Sequence, residues 1–320
     1  MSIWRFPKIS AQIPEKFQLS LGEGQTNIYT IYLDRYELKH LGVEAKSTQK
    51  VLLKLETMNP NKSFKDRSLA FQVSYYNTHG KKKLLISSSG NAANSAAAYV
   101  NLTDIKLAIF VSNKINKNKL KHLEHIINTN PRITLNFSER AKSDAIKFSN
   151  QGNYINLRGS EDKIAIEGFK TISYELAKEA PQTDAIFIPC SSGTSTVGLA
   201  KGYNDIDIPI PQIHICQTTK VHPMAKGFDM AFEQSGDSPA DAIVDKVAKR
   251  KEEVIEIIKN SQGSGWVLST KEIIKATTFL QKKTNLPDLT YNGCLSFAGL
   301  IRALGKKRRY SSPVCIISGI

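Results

Sequence analysis

Lys65 has the setting in this 320-residue chain that most invites chemistry. It stands in Asn59-Pro60-Asn61-Lys62-Ser63-Phe64-Lys65-Asp66-Arg67, between an apolar run at 51–56, read as a strand, and a helical pattern over 64–76. Asn-Pro marks a turn, and Ser63 is the expected helix cap with Asp66 assisting. In a first helical turn the macrodipole disfavours positive charge, and Lys62 and Arg67 add to that. A neutral amine results, the form that attacks an aldehyde to make a Schiff base. A lysine at a helix start is by itself most often a solvated surface residue, so the reading rests on its company.

Three other junctions repeat the architecture. Residues 83–86 read as a strand, followed by Ser87-Ser88-Ser89-Gly90-Asn91 and an alanine-rich helix over 92–100. A strand at 185–189 runs into Ser191-Ser192-Gly193-Thr194-Ser195-Thr196 and a helix over 197–203. A last strand at 314–317 stops at Ser318-Gly319. Ligands of open parallel sheets bind beyond the carboxyl ends of strands. Hydroxyl-rich helix starts with glycine cradle anions there. A reactive lysine and two such cradles point to a cofactor carrying an aldehyde and a phosphate, with an amino-acid carboxylate beside it.

As a set these motifs resemble those of fold-type II pyridoxal-phosphate enzymes (the tryptophan synthase beta superfamily), and threonine synthases in particular. Leu21-Gly22-Glu23-Gly24 is similar to the family's entry motif, with Asn27 where proline is usual. Glu167-Gly168-Phe169-Lys170-Thr171 is close to its Glu-Gly-Gln-Lys-Thr helix start. The resemblance implies an α/β fold of two parallel-sheet domains, with pyridoxal 5'-phosphate in the cleft between them. The larger domain would comprise 1–54 with 162–320, and the smaller 55–161. Lys65 would be the catalytic residue and hold the cofactor. Asn91 would bond its ring hydroxyl, Ser192, Gly193, Thr194, Ser195 and Thr196 its phosphate, and Ser318 its ring nitrogen. Ser88, Ser89 and the Ala92 N–H would hold the substrate carboxylate.

The departures from the family keep the reaction open. An Asn-Pro-x-Arg usually precedes the Glu-Gly-Gln-Lys-Thr motif, and its arginine helps hold the substrate phosphate. Here Asn156-Leu157-Arg158 lies further upstream, making Arg158 the candidate for that task. Thr290 occupies a position usual for glutamate. Ser318 stands where threonine synthases carry threonine but cysteine synthases and serine/threonine dehydratases carry serine. The family usually continues past this strand, so a differently capped site or a longer chain is expected. Three readings follow. One is a threonine-synthase-like lyase of amino-acid biosynthesis, converting O-phosphohomoserine and water to threonine and phosphate. Another is a β-eliminating or β-replacing relative, and the third a cofactor-fold pseudoenzyme that binds partners.

Composition is that of a globular chain, with 41 % hydrophobic and 23 % charged residues. The net charge of +15 raises the question of nucleic acid. Its basic residues are scattered apart from short runs such as Lys306-Lys307-Arg308-Arg309, so a solvated basic surface and no nucleic-acid partner are expected. Cys190, Cys216, Cys294 and Cys315 lack metal-ligand spacing and read as buried thiols of a cytoplasmic protein. No apolar run reaches membrane-spanning length, so no membrane partner is expected. A small amino acid is the expected partner, and the resemblance implies a homodimer.

Elsewhere the pattern alternates strands (28–33, 107–111, 133–137, 213–217, 266–268) with helices (116–128, 138–150, 223–228, 242–259, 272–283, 295–304). Residues up to Lys16 read as a surface arm. His122 and His125, three apart, could suggest a metal pair, but the charged neighbours Lys119, Lys121 and Glu124 favour a solvated face, and no metal is expected.

Overall fold

A computed structural model of the chain describes residues 2–44, 46–115, 117–128 and 130–320, without the side chains of residues 118, 119 and 122. The expected helix start at Asn116 and the Lys119 and His122 side chains therefore lie outside the described residues. Helix α1 (Pro7–Ser10) precedes β1 (Ile28–Leu33), α2 (Arg35–Leu41) and β2 (Gln49–Leu55). Then come α3 (Lys65–Thr78), β3 (Lys83–Ser87), α4 (Asn91–Val100), β4 (Lys106–Ser112), α5 (Lys117–Ile127), β5 (Ile133–Ser138), α6 (Ala141–Gly152) and β6 (Ile155–Asn156). The rest holds α7 (Lys170–Glu179), β7 (Ala185–Pro189), α8 (Thr194–Asp205), β8 (Gln212–Thr218), α9 (Lys251–Asn260), β9 (Ser264–Leu268), α10 (Thr270–Thr284), α11 (Leu295–Gly305) and β10 (Pro313–Ile317).

These elements form two compact units, Met1–Gln25 with Asn59–Thr171, and Thr26–Met58 with Ile172–Ile320. In the first, a parallel sheet runs β5-β4-β3-β6. In the second the order is β1-β2-β10-β7-β8-β9, parallel throughout except for β1 against β2. Every residue of β7 and β10 is buried. Continuous apolar runs of that kind belong to parallel strands covered on both faces, whereas a half-exposed strand would alternate. Helix α11 covers this sheet closely because Gly299 carries no side chain: a Cβ there would lie 2.2 Å from the Cys216 sulfur.

The first 25 residues are more than a surface arm. Ile3, Ile9 and Ile13 are buried. Trp4 donates its indole N–H to the Leu19 carbonyl at 2.8 Å and stacks on Phe71 of α3 at 5.8 Å. The Ser74 hydroxyl accepts the Leu19 N–H at 3.0 Å. This packing puts the segment in the first unit, whereas the sequence division grouped 1–54 with the larger domain. Its buried residues sit in short turns of changing period, which leave no repeat to read.

Two expected helices shrink. Only Ala225–Gly227 of 223–228 is helical, as one 3-10 turn. Residues 242–250 are loop, and the helix begins at Lys251. There the Asn292 side-chain oxygen accepts the Ala242 N–H, and the Ser191 hydroxyl takes those of Val244 and Asp245. Distant side chains satisfy this backbone, and Ala248 has φ +48°. In the other direction, α2 was not expected, although its Asp34…Glu37 capping box is a sequence signal. A capping box of Ser269 and Glu272 starts α10, two residues before the expected 272.

His214 of β8 is wholly buried, stacked on Phe187 at 4.4 Å, and its Nδ1 accepts the Trp266 indole N–H at 3.3 Å. Its Nε2 has no partner among the described residues. Burial, assisted by Arg308, lowers its pKa to about 3. The folded protein therefore refuses a proton that the unfolded chain takes below about pH 6.5. Stability present above that pH is lost on acidification at about 1.4 kcal/mol per pH unit. Urea melts between pH 7 and pH 4.5 should show this slope in the native protein and a shallower one in His214→Phe.

Candidate active site

The chain enters the first unit at Asn59, and the lysine loop is fastened as it does so. The Asn59 side-chain oxygen accepts the Gly24 N–H at 2.9 Å. The Asp66 carboxylate accepts the Asn61 backbone N–H at 2.6 Å and its amide at 2.8 Å, closing the loop on the helix. Phe64, rather than Ser63, takes the cap position of α3, and the Ser63 hydroxyl accepts the Lys65 N–H at 3.3 Å. The expected capping pair thus acts one residue early, on loop and helix together. Glu23 is buried and accepts the Tyr99 hydroxyl at 2.8 Å. Burial raises its carboxyl above the usual range. The turn Leu21-Gly22-Glu23-Gly24 therefore straps the lysine loop to α4.

A second fastening comes from the turn before α7. A Cβ on Gly168 would stand 1.9 Å from the Arg67 carbonyl oxygen, so only glycine allows this approach. Arg67, fully buried, donates to the Thr171 hydroxyl at 2.9 Å, and that hydroxyl donates to the Gly168 carbonyl at 2.7 Å. Phe169 meets Phe64 edge to face at 5.2 Å. The Lys65 Nζ lies 4.9 Å from the Phe64 ring centre and 5.5 Å from that of Phe169.

At the carboxyl end of β3 the chain passes through Ser88, Ser89 and Gly90 into α4, whose first residues are Asn91 and Ala92. The N-cap residue is Gly90, which has no side chain to cap the helix, and its carbonyl accepts the Ala93 and Asn94 N–H groups at 2.9 and 3.2 Å. β3 continues to β4 and β5 on one side while β6 lies on the other, which makes this edge a topological switch point. Arg158 follows β6 and donates from Nη1 to the Ser87 carbonyl at 3.0 Å and from Nε to the Ser160 hydroxyl at 3.1 Å. Its guanidinium therefore stands at the same strand edge as the Ser88–Ala92 cradle. The buried Ser87 hydroxyl there has no partner among the described residues.

The second unit has its own switch point. From β7 the chain goes to β8 and β9, while β10 lies on the other side, parallel and adjacent. Ser191, Ser192 and Gly193 follow β7 and open α8, which no described side chain caps. Gly193 has φ +88°, and a Cβ on it would lie 2.6 Å from a Val254 methyl. Ser192 and Thr194 share a hydroxyl hydrogen bond at 2.9 Å, and Ser195 and Thr196 complete the first turn. Ser318, buried, follows β10 at the same edge. Thr290 donates its hydroxyl to the Gly319 carbonyl at 3.0 Å, holding the backbone beside Ser318. A helix start with glycine at its N-cap and the hydroxyls of Ser192, Thr194 and Ser195 fits a phosphate, whereas the Thr196 hydroxyl donates to the Cys190 sulfur at 3.7 Å.

Lys65, Ser88, Ser89, Asn91, Ala92 and Arg158 thus belong to the first unit, and Ser192, Gly193, Thr194, Ser195, Thr196 and Ser318 to the second. Sequence reasoning missed Phe169, although its departure from the family glutamine was visible. It also missed Tyr99 and, although Asn59 was read as a turn residue, the contact of Asn59 with Gly24, because both bonds cross long stretches of sequence.

A family profile described as pyridoxal-phosphate dependent enzyme matches residues 19–319. The chain belongs to that family, and pyridoxal 5'-phosphate is its cofactor. It is similar to the threonine synthase of Mycobacterium tuberculosis, 28 % identical over 286 residues, covering 83 % of this chain and 75 % of that one. It also matches the threonine synthase of Methanocaldococcus jannaschii, 24 % identical over 334 residues, covering 100 % of this chain and 80 % of the relative. Together these make it a lyase of the threonine-synthase-like kind. Among solved structures, maize serine racemase superposes with a TM-score of 0.71 at 17 % identity, covering 91 % of this chain and 88 % of that one. Processed threonine deaminase isoform 2 of Solanum lycopersicum gives 0.70 at 19 %, with 98 % and 87 % covered. At such identities they share the fold, which is α/β and of fold type II.

A valine at 193 must adopt a left-handed backbone and displace α9, whereas alanine at 195 removes one hydroxyl. Gly193→Val should therefore weaken pyridoxal-phosphate affinity by at least tenfold more than Ser195→Ala. Absorbance titration of the cofactor-stripped protein measures both, with a thermal melt as the folding control.

Proposed function

We propose that this lyase converts O-phosphohomoserine and water to threonine and phosphate. The observation that carries the reading is Arg158, held at the carboxyl end of β3 beside the start of α4. A phosphorylated substrate carries about two negative charges and calls for a fixed cation, and a guanidinium offers two parallel donors. The Ala92 N–H, with Ser88 and Ser89, takes the substrate carboxylate, and Arg158 takes the phosphate.

When bound, pyridoxal phosphate supplies an electron sink for negative charge at the substrate's α-carbon. Lys65 would hold it covalently; the substrate amine would displace Nζ, and the freed Nζ would take and return the α-proton as general base and acid. Asn91 bonds the ring hydroxyl. The hydroxyls of Ser192, Thr194 and Ser195, with the N–H groups of Ser192, Gly193, Thr194, Ser195 and Thr196, take the cofactor phosphate. Ser318 offers the ring nitrogen a neutral hydroxyl, which leaves it less protonated than a carboxylate would and suits elimination over transamination. The four buried cysteines, with free thiols, support a cytoplasmic setting. The homodimer rests on family resemblance.

Ser318 also supports a second reading, β-elimination or β-replacement on serine, threonine or O-acetylserine. Assays of phosphate, keto acid and new amino acid across these substrates separate the two. For the first, Arg158→Ala should raise KM for O-phosphohomoserine at least tenfold and leave the cofactor spectrum unchanged. An unchanged KM moves the assignment to the smaller β-substituted amino acids. Lys65→Ala should abolish turnover and the borohydride-trappable link between cofactor and protein. A link persisting in that variant, located by peptide mass spectrometry, would assign the cofactor to another lysine.

A further inference from the structure

We infer that Phe169 and Phe64 form an aromatic seat for the ammonium form of Lys65, and that Phe169 is a positioning residue for this amine. The inference rests on the role given to Lys65 above. The Nζ is 4.9 Å and 5.5 Å from the two ring centres, inside the range in which a cation is attracted to a ring face. The rings are only 7 % and 1 % exposed, and this attraction is greatest where water is excluded.

Neither ring is free to drift. Phe64 takes the cap position of α3, and Phe169 is set by its neighbours on either side. Gly168 presses on the Arg67 carbonyl and Thr171 bonds the Arg67 guanidinium, so the turn carrying Phe169 is bolted to the first turn of α3. The same helix that presents the amine thus fixes the ring beside it. Glutamine, which the family motif resembled here carries at this place, would present an amide dipole to the amine instead of a ring face.

The seat opposes the helix start. The α3 macrodipole, with Lys62 and Arg67 near in sequence, favours a neutral amine. Among the charged groups on the surrounding elements, Asp66 is engaged by Asn61, Arg67 by Thr171, and Glu167 by Lys170 at 2.8 Å. A ring face favours the ammonium only weakly, so its attraction leaves the proton able to depart. That balance suits a group which must take a proton from the α-carbon and give it back.

The test reads the amine directly in the full-length, cofactor-stripped protein. Acetic anhydride labels neutral amines, and peptide mass spectrometry gives the rate at Lys65 between pH 6 and pH 10. Phe169→Leu should raise labelling at pH 7 by about three- to tenfold and move the profile to lower pH. Phe169→Trp, which keeps a ring face, should hold the native profile or move it higher. A Leu variant that melts normally and labels like the native protein overturns the inference. If Leu fails to fold, the Trp variant decides, and faster labelling there overturns it equally. Borohydride trapping on the native protein reports the cofactor role separately. A shifted Leu profile without trapped cofactor supports the seat while removing the proposed function.

Discussion

Gly168 lies against the carbonyl of Arg67 with no room for a side chain, and the lysine region of this protein depends on that approach. It lets one backbone rest on another at the first turn of α3, so a turn a hundred residues downstream buttresses the reactive lysine. Arg67 completes the join by spending its buried guanidinium on Thr171. A buried arginine is costly unless its donors are met, so the bond stabilises the turn and satisfies the charge together. On the other side Asn59 and Glu23 bind the same loop to the entry turn and to α4. The lysine is thereby placed by segments around residues 23, 59, 99 and 168, all within one compact unit.

Each unit carries its functional groups where its own topology changes direction. In the first, the serine loop and Arg158 flank the place where β6 parts from β4 about β3. In the second, the glycine-hydroxyl loop and Ser318 flank the parting of β10 and β8 about β7. At such edges adjacent loops diverge, and helix starts stand beside them. The second unit offers groups suited to phosphate and a ring nitrogen; the first offers an amine, a carboxylate cradle and a guanidinium. This division of labour follows from strand order before any side chain is considered.

The β-α periodicity made most of the fold readable, because β3, β7 and β10 are short apolar runs followed by hydroxyls and glycine. The candidate site was readable for the same reason: loops after strands are where such residues have no other purpose. What escaped was set by distance. Residues 242–250 have helical composition, yet Ser191 and Asn292 claim their N–H groups, and neither is a sequence neighbour. The burial of Ile3, Ile9 and Ile13 depends on docking of the N-terminal turns onto α3, which no local period encodes. Phe169 could be seen as a departure from the family motif, but its proximity to Lys65 needed the Gly168 contact.

The position of β10 has a consequence for how the chain is assembled in time. It follows the other described strands of its sheet in sequence yet sits in the middle of the six-stranded sheet, between β2 and β7. While a ribosome is still making residues 313–317, β7, β8 and β9 can associate with each other, but β2 and its partner β1 have no neighbour to join. The slot between these halves exposes two unpaired parallel edges, the kind of surface that invites pairing with other chains. Final insertion of β10 closes both edges at once and delivers Ser318 to its place. The nascent protein is therefore exposed to such pairing until β10 has emerged and inserted.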